Sequence, residues 1–271
     1  MSGVVLAVSG SLRKNSFTEK MLDLCIQGMG EGLEVHKFHP HKMNIGPCNS
    51  CWSCWGKKHH GECVQKDDFQ HILDIYRRAD YFLLAAPLYV FDFPATVKNV
   101  IDRFFVILEP AQVQSPGGGT EHPKRFGRYP KAVLISSCGF PEILNFDILR
   151  QHFRLICEHM GWVWSGEILI SAAGVANAPK LFDRKYELIK EAGAQLVRES
   201  ILRETTEAIA SPVISTDDYR RMATASFEGG VLGKVRSAAI AIKAMRNLKN
   251  TKQDGSYYSF NISKKPTLFT A

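Results

Sequence analysis

The stretch Ser9-Gly10-Ser11-Leu12-Arg13-Lys14-Asn15-Ser16-Phe17-Thr18 constrains this chain more than any other. The apolar run Val4-Val5-Leu6-Ala7-Val8 precedes it and an amphipathic segment, Glu19 to Met29, follows. A buried strand therefore feeds a short polar turn that opens a helix. Such a turn exposes backbone N–H groups, the helix N-terminus adds partial positive charge, and Ser, Thr and Arg supply further donors. The combination suits a phosphate monoester. The glycines are not spaced Gly-x-Gly-x-x-Gly and no Gly-Lys-Ser/Thr follows, which disfavours a dinucleotide cradle and a nucleoside triphosphate site. An ordinary strand-to-helix turn capped by Ser16 is the plainer alternative.

Beyond the turn, strand and helix patterns alternate. Leu33 to Phe38 alternates apolar and polar residues, as a half-exposed edge strand does. Asp67-Asp68 opens a helix whose apolar face is Phe69, Ile72, Leu73 and Tyr76. Asp80 to Ala86 is nearly all apolar, the mark of a central parallel strand covered on both faces. It breaks at Pro87, and a helix resumes at Pro94 with Val97, Val100, Ile101, Phe104 and Phe105 inward. Residues 110 to 130 form a long polar connection with Pro116-Gly117-Gly118-Gly119, a length that usually marks function or mobility. Ala132 to Ser136 reads as a strand, Asn145 to Met160 as a helix, Trp162 to Ile170 as the last strand and Lys180 to Glu204 as a closing helix. Five strands alternating with helices predict an α/β fold, a parallel sheet wrapped on both faces.

In such sheets ligands bind at the carboxyl ends of the strands, near the point where strand order reverses. Three post-strand loops carry unusual chemistry there: 9–18, 87–93 and 136–142. The first holds phosphate-type donors, the second sets Tyr89 and Phe91 beside Pro87, and the third is small and polar. Singly, each has a bland reading: Pro87 ends a strand, Tyr89 and Phe91 join the core, Cys138 is a small buried residue. Together they suit a planar, singly phosphorylated cofactor, with FMN the leading candidate.

Val-Ser-Gly-Ser-Leu-Arg-Lys-Asn-Ser from Val8, Ala-Pro-Leu-Tyr-Val-Phe-Asp-Phe-Pro-Ala-Thr-Val-Lys-Asn-Val-Ile-Asp-Arg from Ala86, and Ser-Cys-Gly-Phe-Pro-Glu from Ser137 resemble the NADPH-dependent FMN reductase branch of the flavodoxin-like superfamily. The resemblance covers roughly residues 3 to 205. It implies a doubly wound five-stranded parallel sheet of order 2-1-3-4-5. It also implies phosphate contacts from Ser9, Ser11, Arg13, Ser16 and Thr18, with the flavin ring near Pro87, Leu88, Tyr89, Val90, Phe91, Cys138 and Gly139. Flavodoxin is itself an example of the strand-end rule, so this placement rests on analogy as well as on the motifs.

Four of the seven cysteines, Cys48, Cys51, Cys54 and Cys63, fall within 16 positions. Clustering of this kind in a long chain with an odd cysteine count reads as metal or redox chemistry in a reducing compartment, not as a disulfide scaffold. Three thiolates at steps of three can wrap one side of a cubane, as in the first three ligands of ferredoxins. Zinc more often takes two separated pairs, although His59 and His60 make a mixed site conceivable. The loop, residues 46–64, looks like that of iron-sulfur flavoproteins in the same family, which implies a [4Fe-4S] cluster. Its final gap of eight is longer than their compact spacing, so zinc and plain packed thiols stay open. Trp52 and Trp55 would shield such a cluster or anchor a subunit interface, and the interface is the favoured expectation.

An apolar content of 45% and a charged content of 23% are those of an ordinary globular chain. The net charge of +7 is not spread evenly: residues 231–265 hold eight Lys or Arg against Asp254 alone, and the rest balances. Nucleic-acid binding is not expected, since no recognition module accompanies that one short basic segment. The domain expectation is a flavin-binding body at 1–206 and a basic helical extension at 207–271. Within the extension Ser215-Thr216 caps a helix to Phe227. A second helix then carries an apolar stripe of Val231, Val235, Ala238, Ile242 and Met245. Docking of that stripe onto the body, or packing in a homodimer or homotetramer, is expected ahead of contact with a membrane surface. No signal-like segment precedes Val4, and the richest apolar run, Tyr81 to Phe91, is broken by Pro87, so a cytoplasmic protein is expected.

The function expected from all this is an FMN-dependent oxidoreductase or electron-transfer flavoprotein. It would take electrons from NAD(P)H or a reduced carrier and pass them on, with the cluster as a relay. The alternatives are a cluster-free NAD(P)H:FMN or quinone reductase, and a non-enzymatic electron carrier or metal/redox sensor. No general acid or base is marked, because hydride transfer to a flavin does not demand one.

Overall fold

The computed structural model describes residues 3–250 apart from 177, 203 and 228. In chain order the elements are β1 (Gly3–Ser9), α1 (Phe17–Met29), β2 (Leu33–Phe38), α2 (Phe69–Tyr76), β3 (Tyr81–Pro87), α3 (Ala95–Arg103), β4 (Val113–Gln114) and β5 (Thr120–Glu121). There follow β6 (Lys131–Ser137), α4 (Asp147–Met160), β7 (Val163–Ile170), α5 (Asp183–Glu199), α6 (Glu204–Ala210), α7 (Thr216–Phe227) and α8 (Gly230–Asn250). The main sheet runs β2-β1-β3-β6-β7, every pair parallel, which is the expected flavodoxin-like order 2-1-3-4-5.

The alternation of side chains along a strand builds two cores from one sheet. Val5 and Ala7 of β1, with Leu83 and Ala85 of β3, meet Met21, Leu22 and Cys25 of α1 and Ile189 and Ala192 of α5. Leu6 and Val8, with Phe82 and Leu84, face the opposite layer, where Ile72, Val97, Val100, Leu149 and Phe153 come from α2, α3 and α4. Trp162 lies in that layer against Phe82 and Phe104, ring centroids 4.7 and 5.4 Å away. Its indole N–H donates to the Tyr76 hydroxyl at 3.1 Å, so its one polar atom is satisfied.

Three expectations change. The connection 110–130 is not structureless: β4 and β5 pair as a small antiparallel hairpin, turned by Gly118 at φ 88°. The closing helix stops at Glu199, where Ser200 takes a left-handed conformation (φ 65°), and α6 starts afresh. Leu202 N–H then donates to the Ser165 carbonyl at 2.8 Å, so the chain is drawn back to β7. The stripe expected on α8 does not face the body. Ser237, Ala241 and Ala244 are buried instead, while Val235 and Ile242 are exposed. Small side chains let α8 lie close, and Ser226 Oγ of α7 reaches Ser237 Oγ at 3.0 Å. The side chains of Val231 and Met245, and residues 251–271 with Lys252, Lys264 and Lys265, lie outside the described part. Ile209, Val213, Ile214, Tyr219 and Met222 join the same core as α1 and α5.

Helices α1 and α5 approach closely enough to require glycine. A Cβ at Gly28 would stand 1.9 Å from the Lys190 carbonyl oxygen, and one at Gly193 would stand 2.1 Å from that of Cys25. Neither backbone can yield without separating the layer from the sheet. Gly28→Ala is expected to cost about 1–3 kcal/mol through overpacking. The check is a lower urea midpoint at unchanged slope.

Candidate functional site

The loops after β1, β3 and β6 are tied together by the polar groups that the strand ends leave over. Gly10 N–H donates to the Ala85 carbonyl at 2.7 Å and Leu88 N–H to that of Ser137 at 3.0 Å. The Thr18 and Ser137 hydroxyls share a buried hydrogen bond of 2.6 Å. Thr18 therefore braces the first loop against the third. A Cβ on Gly10 would lie 2.3 Å from Val97 Cγ2, so only glycine fits where β1 meets the turn.

Within the turn the backbone donors are arranged by short-range chemistry. Ser16 caps α1, its Oγ accepting Glu19 N–H at 3.1 Å, and Ser11 Oγ accepts Arg13 N–H at 3.3 Å. Ser9 and Ser11 are buried at the floor, while Arg13, Lys14 and Asn15 are exposed at the rim. The Ser9 hydroxyl has no protein partner although it is buried. An orphaned buried hydroxyl at the root of a polar turn that opens a helix fits the phosphate end of FMN. On its outer side the turn borders a cavity of about 850 Å³, lined also by Lys20 and Lys42.

The second loop is strained. Tyr89 and Asp92 exchange backbone hydrogen bonds of 3.0 and 3.1 Å across a tight turn, which forces Val90 to φ 49° and Phe91 to φ 65°. A β-branched residue is seldom held there, and such strain gathers at functional sites. The turn is held by Asp92, whose Oδ1 accepts Phe93 N–H at 2.7 Å and meets His152 Nδ1 at 2.9 Å. It presents Val90, 93% exposed, with Phe91 and Tyr89 beside it. Phe140, on the third loop, is also exposed.

That third loop is fixed from outside the sheet. The Tyr219 hydroxyl of α7 donates to the Gly139 carbonyl at 2.5 Å, and Ala173 N–H donates to that of Cys138 at 2.9 Å. Burial pushes the Cys138 thiol up to about 12, so it is a packing group, not a nucleophile. Tyr219 and His152 were not legible as site residues, because both act across long sequence separations with no local motif.

Cys48, Cys51, Cys54 and Cys63 all line one cavity of about 250 Å³, with Arg103 and Phe105. Ser50 and Trp52 in left-handed conformations curl the loop around it. Burial, then the neighbouring Cys63, pushes the Cys54 thiol up, with smaller contributions from Cys48 and Cys51; a hydrogen bond with Ser53 pulls Cys51 down. Trp55 stacks on Phe105 at 4.7 Å, and Trp52, 56% exposed, leans on both. His60 turns away to Arg125 and Glu109, which leaves the mixed Cys/His reading without that ligand. Among the described residues no three His, Cys, Asp or Glu side chains are grouped as a ready metal-ligand set. What fits a cluster is the donor chemistry: four thiols on one cavity, with a guanidinium on the same lining to offset negative charge.

That guanidinium is Arg103, 1% exposed. It makes two bonds to Asp67, of 2.6 and 2.9 Å, and a third to the Gly46 carbonyl at 3.0 Å. Asp67 in turn accepts Gly46 N–H at 3.1 Å and Phe69 N–H at 3.2 Å. Both ends of the cysteine loop are thereby clamped to α3. Burial works to raise the Asp67 pKa, but the Arg103 hydrogen bond and the backbone donors outweigh it and hold the carboxyl below its usual range. A depressed folded pKa means that this contribution is present above the unfolded value of about 3.9 and is lost as pH falls through the folded one. Asp67→Asn is expected to destabilise the protein by about 3–5 kcal/mol, the cost of a stranded buried charge. It should also flatten the acid limb of stability against pH, as measured by denaturant titration between about pH 2 and 7.

Known proteins resemble this chain in sequence and in fold. An iron-sulfur flavoprotein of Archaeoglobus fulgidus is 35% identical over 139 residues, 51% of this chain and 56% of the relative. One from Methanosarcina thermophila is 31% identical over 100 residues, 36% of this chain and 51% of the relative. The chain thus spans about half the length of the curated relatives it matches. Among solved structures, a Klebsiella pneumoniae protein assigned as a quinone reductase superposes with a TM-score of 0.58 at 17% identity, over 72% of this chain and 85% of that one. A Bacillus anthracis FMN-dependent NADH-azoreductase in complex with FMN gives 0.54 at 12% identity, over 73% and 100%. At those identities the superpositions establish the fold alone. The model of the NADPH-dependent FMN reductase family matches residues 4–138, and the chain belongs to that family.

Proposed function

We propose that this protein is an FMN-dependent oxidoreductase that takes electrons from NAD(P)H or a reduced carrier and delivers them to an acceptor through a [4Fe-4S] cluster. The observation that carries the flavin half is the orphaned Ser9 hydroxyl at the end of β1, together with an exposed apolar turn at the end of the neighbouring β3. Bound there, FMN supplies the hydride-accepting chemistry and can release electrons singly or in pairs.

The chain's own residues bind and orient. Ser9, Ser11 and the N–H groups of the turn hold the phosphate, and Arg13 at the rim neutralises it. The caps made by Ser16 and the Thr18–Ser137 bond keep those donors in place. Pro87 to Phe91 flank one side of the ring and Cys138-Gly139 meet its edge. Cys48, Cys51, Cys54 and Cys63 hold the cluster, and the exposed Trp52 belongs to an interface in a homodimer or homotetramer. The ungrouped cysteine side chains favour a second reading, a cluster-free NAD(P)H:FMN or quinone reductase with the same flavin site.

Anaerobic purification followed by flavin and iron assays separates these readings. Arg13→Ala removes one charge-assisted hydrogen bond and should raise the Kd for FMN by about tenfold or more in fluorescence titration. Cys51→Ser should abolish bound iron and the visible cluster band while FMN stays; iron retained by the variant would reject ligation by this loop. Stopped-flow mixing with NADPH should bleach the flavin directly. A flavin that only an external reduced carrier can bleach would make the protein an electron carrier.

A further inference from the structure

We propose that the outer face of α8 docks on an anionic lipid bilayer, so that the protein sits peripherally on a membrane surface. The helix has two apolar sides. Ser237, Ala241 and Ala244 are buried against the body. Away from them Leu232 is 70% exposed, Val235 59% and Ile242 49%, and Phe227, at the end of α7, is 91% exposed. Arg236 and Lys243, also exposed, flank this face. The body has taken the small-residue side and left the large one outward, the reverse of what the sequence stripe suggests.

Charge selects the occupant. Residues 231–265 hold eight Lys or Arg against Asp254 alone, an excess equal to the +7 of the whole chain. Two copies laid face to face would bring like charge together, and a neutral body has no acidic excess with which to answer it. An anionic bilayer meets both halves of the surface: large apolar side chains enter the headgroup boundary while basic ones pair with the lipid charge. Among the described residues no helix is long and apolar enough to cross a membrane, so the contact is interfacial.

Flotation of the full-length protein with vesicles tests this. Vesicles of phosphatidylcholine mixed with phosphatidylglycerol should carry at least about tenfold more protein than pure phosphatidylcholine, and the gain should vanish at about 0.5 M salt. The double variant Val235→Ser, Ile242→Ser should lower flotation about tenfold, since two solvent-facing apolar groups are removed. Its far-ultraviolet circular dichroism and its mass in sedimentation velocity should not change. Three results would overturn the proposal. One is absence of flotation with the anionic vesicles. Another is flotation undiminished in the double variant, which would assign it to charge alone. The third is a fall in the variant's mass, which would assign the face to a second copy of the chain.

Discussion

The rest of the structure depends on the burial of β1 and β3 on both faces. With Val5 to Val8 and Phe82 to Ala86 fully covered, the backbone groups of these strands can be satisfied only by neighbouring strands. That ladder runs out at the carboxyl ends. There the next N–H and hydroxyl groups must find other partners, and they find each other: Gly10 to Ala85, Leu88 to Ser137, Thr18 to Ser137. The candidate site is what remains unpaired after those bonds are made, the Ser9 hydroxyl and the rim of the turn.

A second constraint governs the cysteine loop. Such a loop has few apolar anchors, mainly Cys54 and Trp55, so its geometry depends on polar bonds. The Arg103–Asp67 pair supplies them at both ends of the loop, buried where its hydrogen bonds escape solvent competition. A buried ion pair is weak evidence for stability, because desolvation offsets most of its Coulomb gain. Its value here is positional: it sets four thiols around one cavity and leaves a guanidinium beside Cys63.

The segment after α5 is part of the same argument. Lys185 of α5 donates to the Ala208 carbonyl at the end of α6, and α7 sends the Tyr219 hydroxyl to Gly139. A helix far along the chain thus fixes the loop after β6. Packing of α8 on α7 through Ser237, Ala241 and Ala244 then leaves a large apolar face outward.

The strand order was implied by the family resemblance; from the residues themselves the alternation of five strands with helices, the donor turn at Ser9 to Thr18, the break at Pro87 and the membership of all four clustered cysteines in one loop could be read. Each is a local pattern: an apolar period, a cap, a proline, a spacing. Even the cap at Ser16 and the one at Ser215 appear where local chemistry puts them. Only the tertiary structure decided what depends on distant partners. Asp67 reads as a helix opener, yet its carboxylate serves Arg103, 36 residues away. Tyr219 reads as an ordinary helical residue, yet it serves Gly139 across 80. The α8 stripe was assigned by hydrophobicity, whereas close helix packing selected the smallest side chains instead. Periodicity reports which faces a helix has; which of them meets a neighbour is settled by shape and by what else has already been buried.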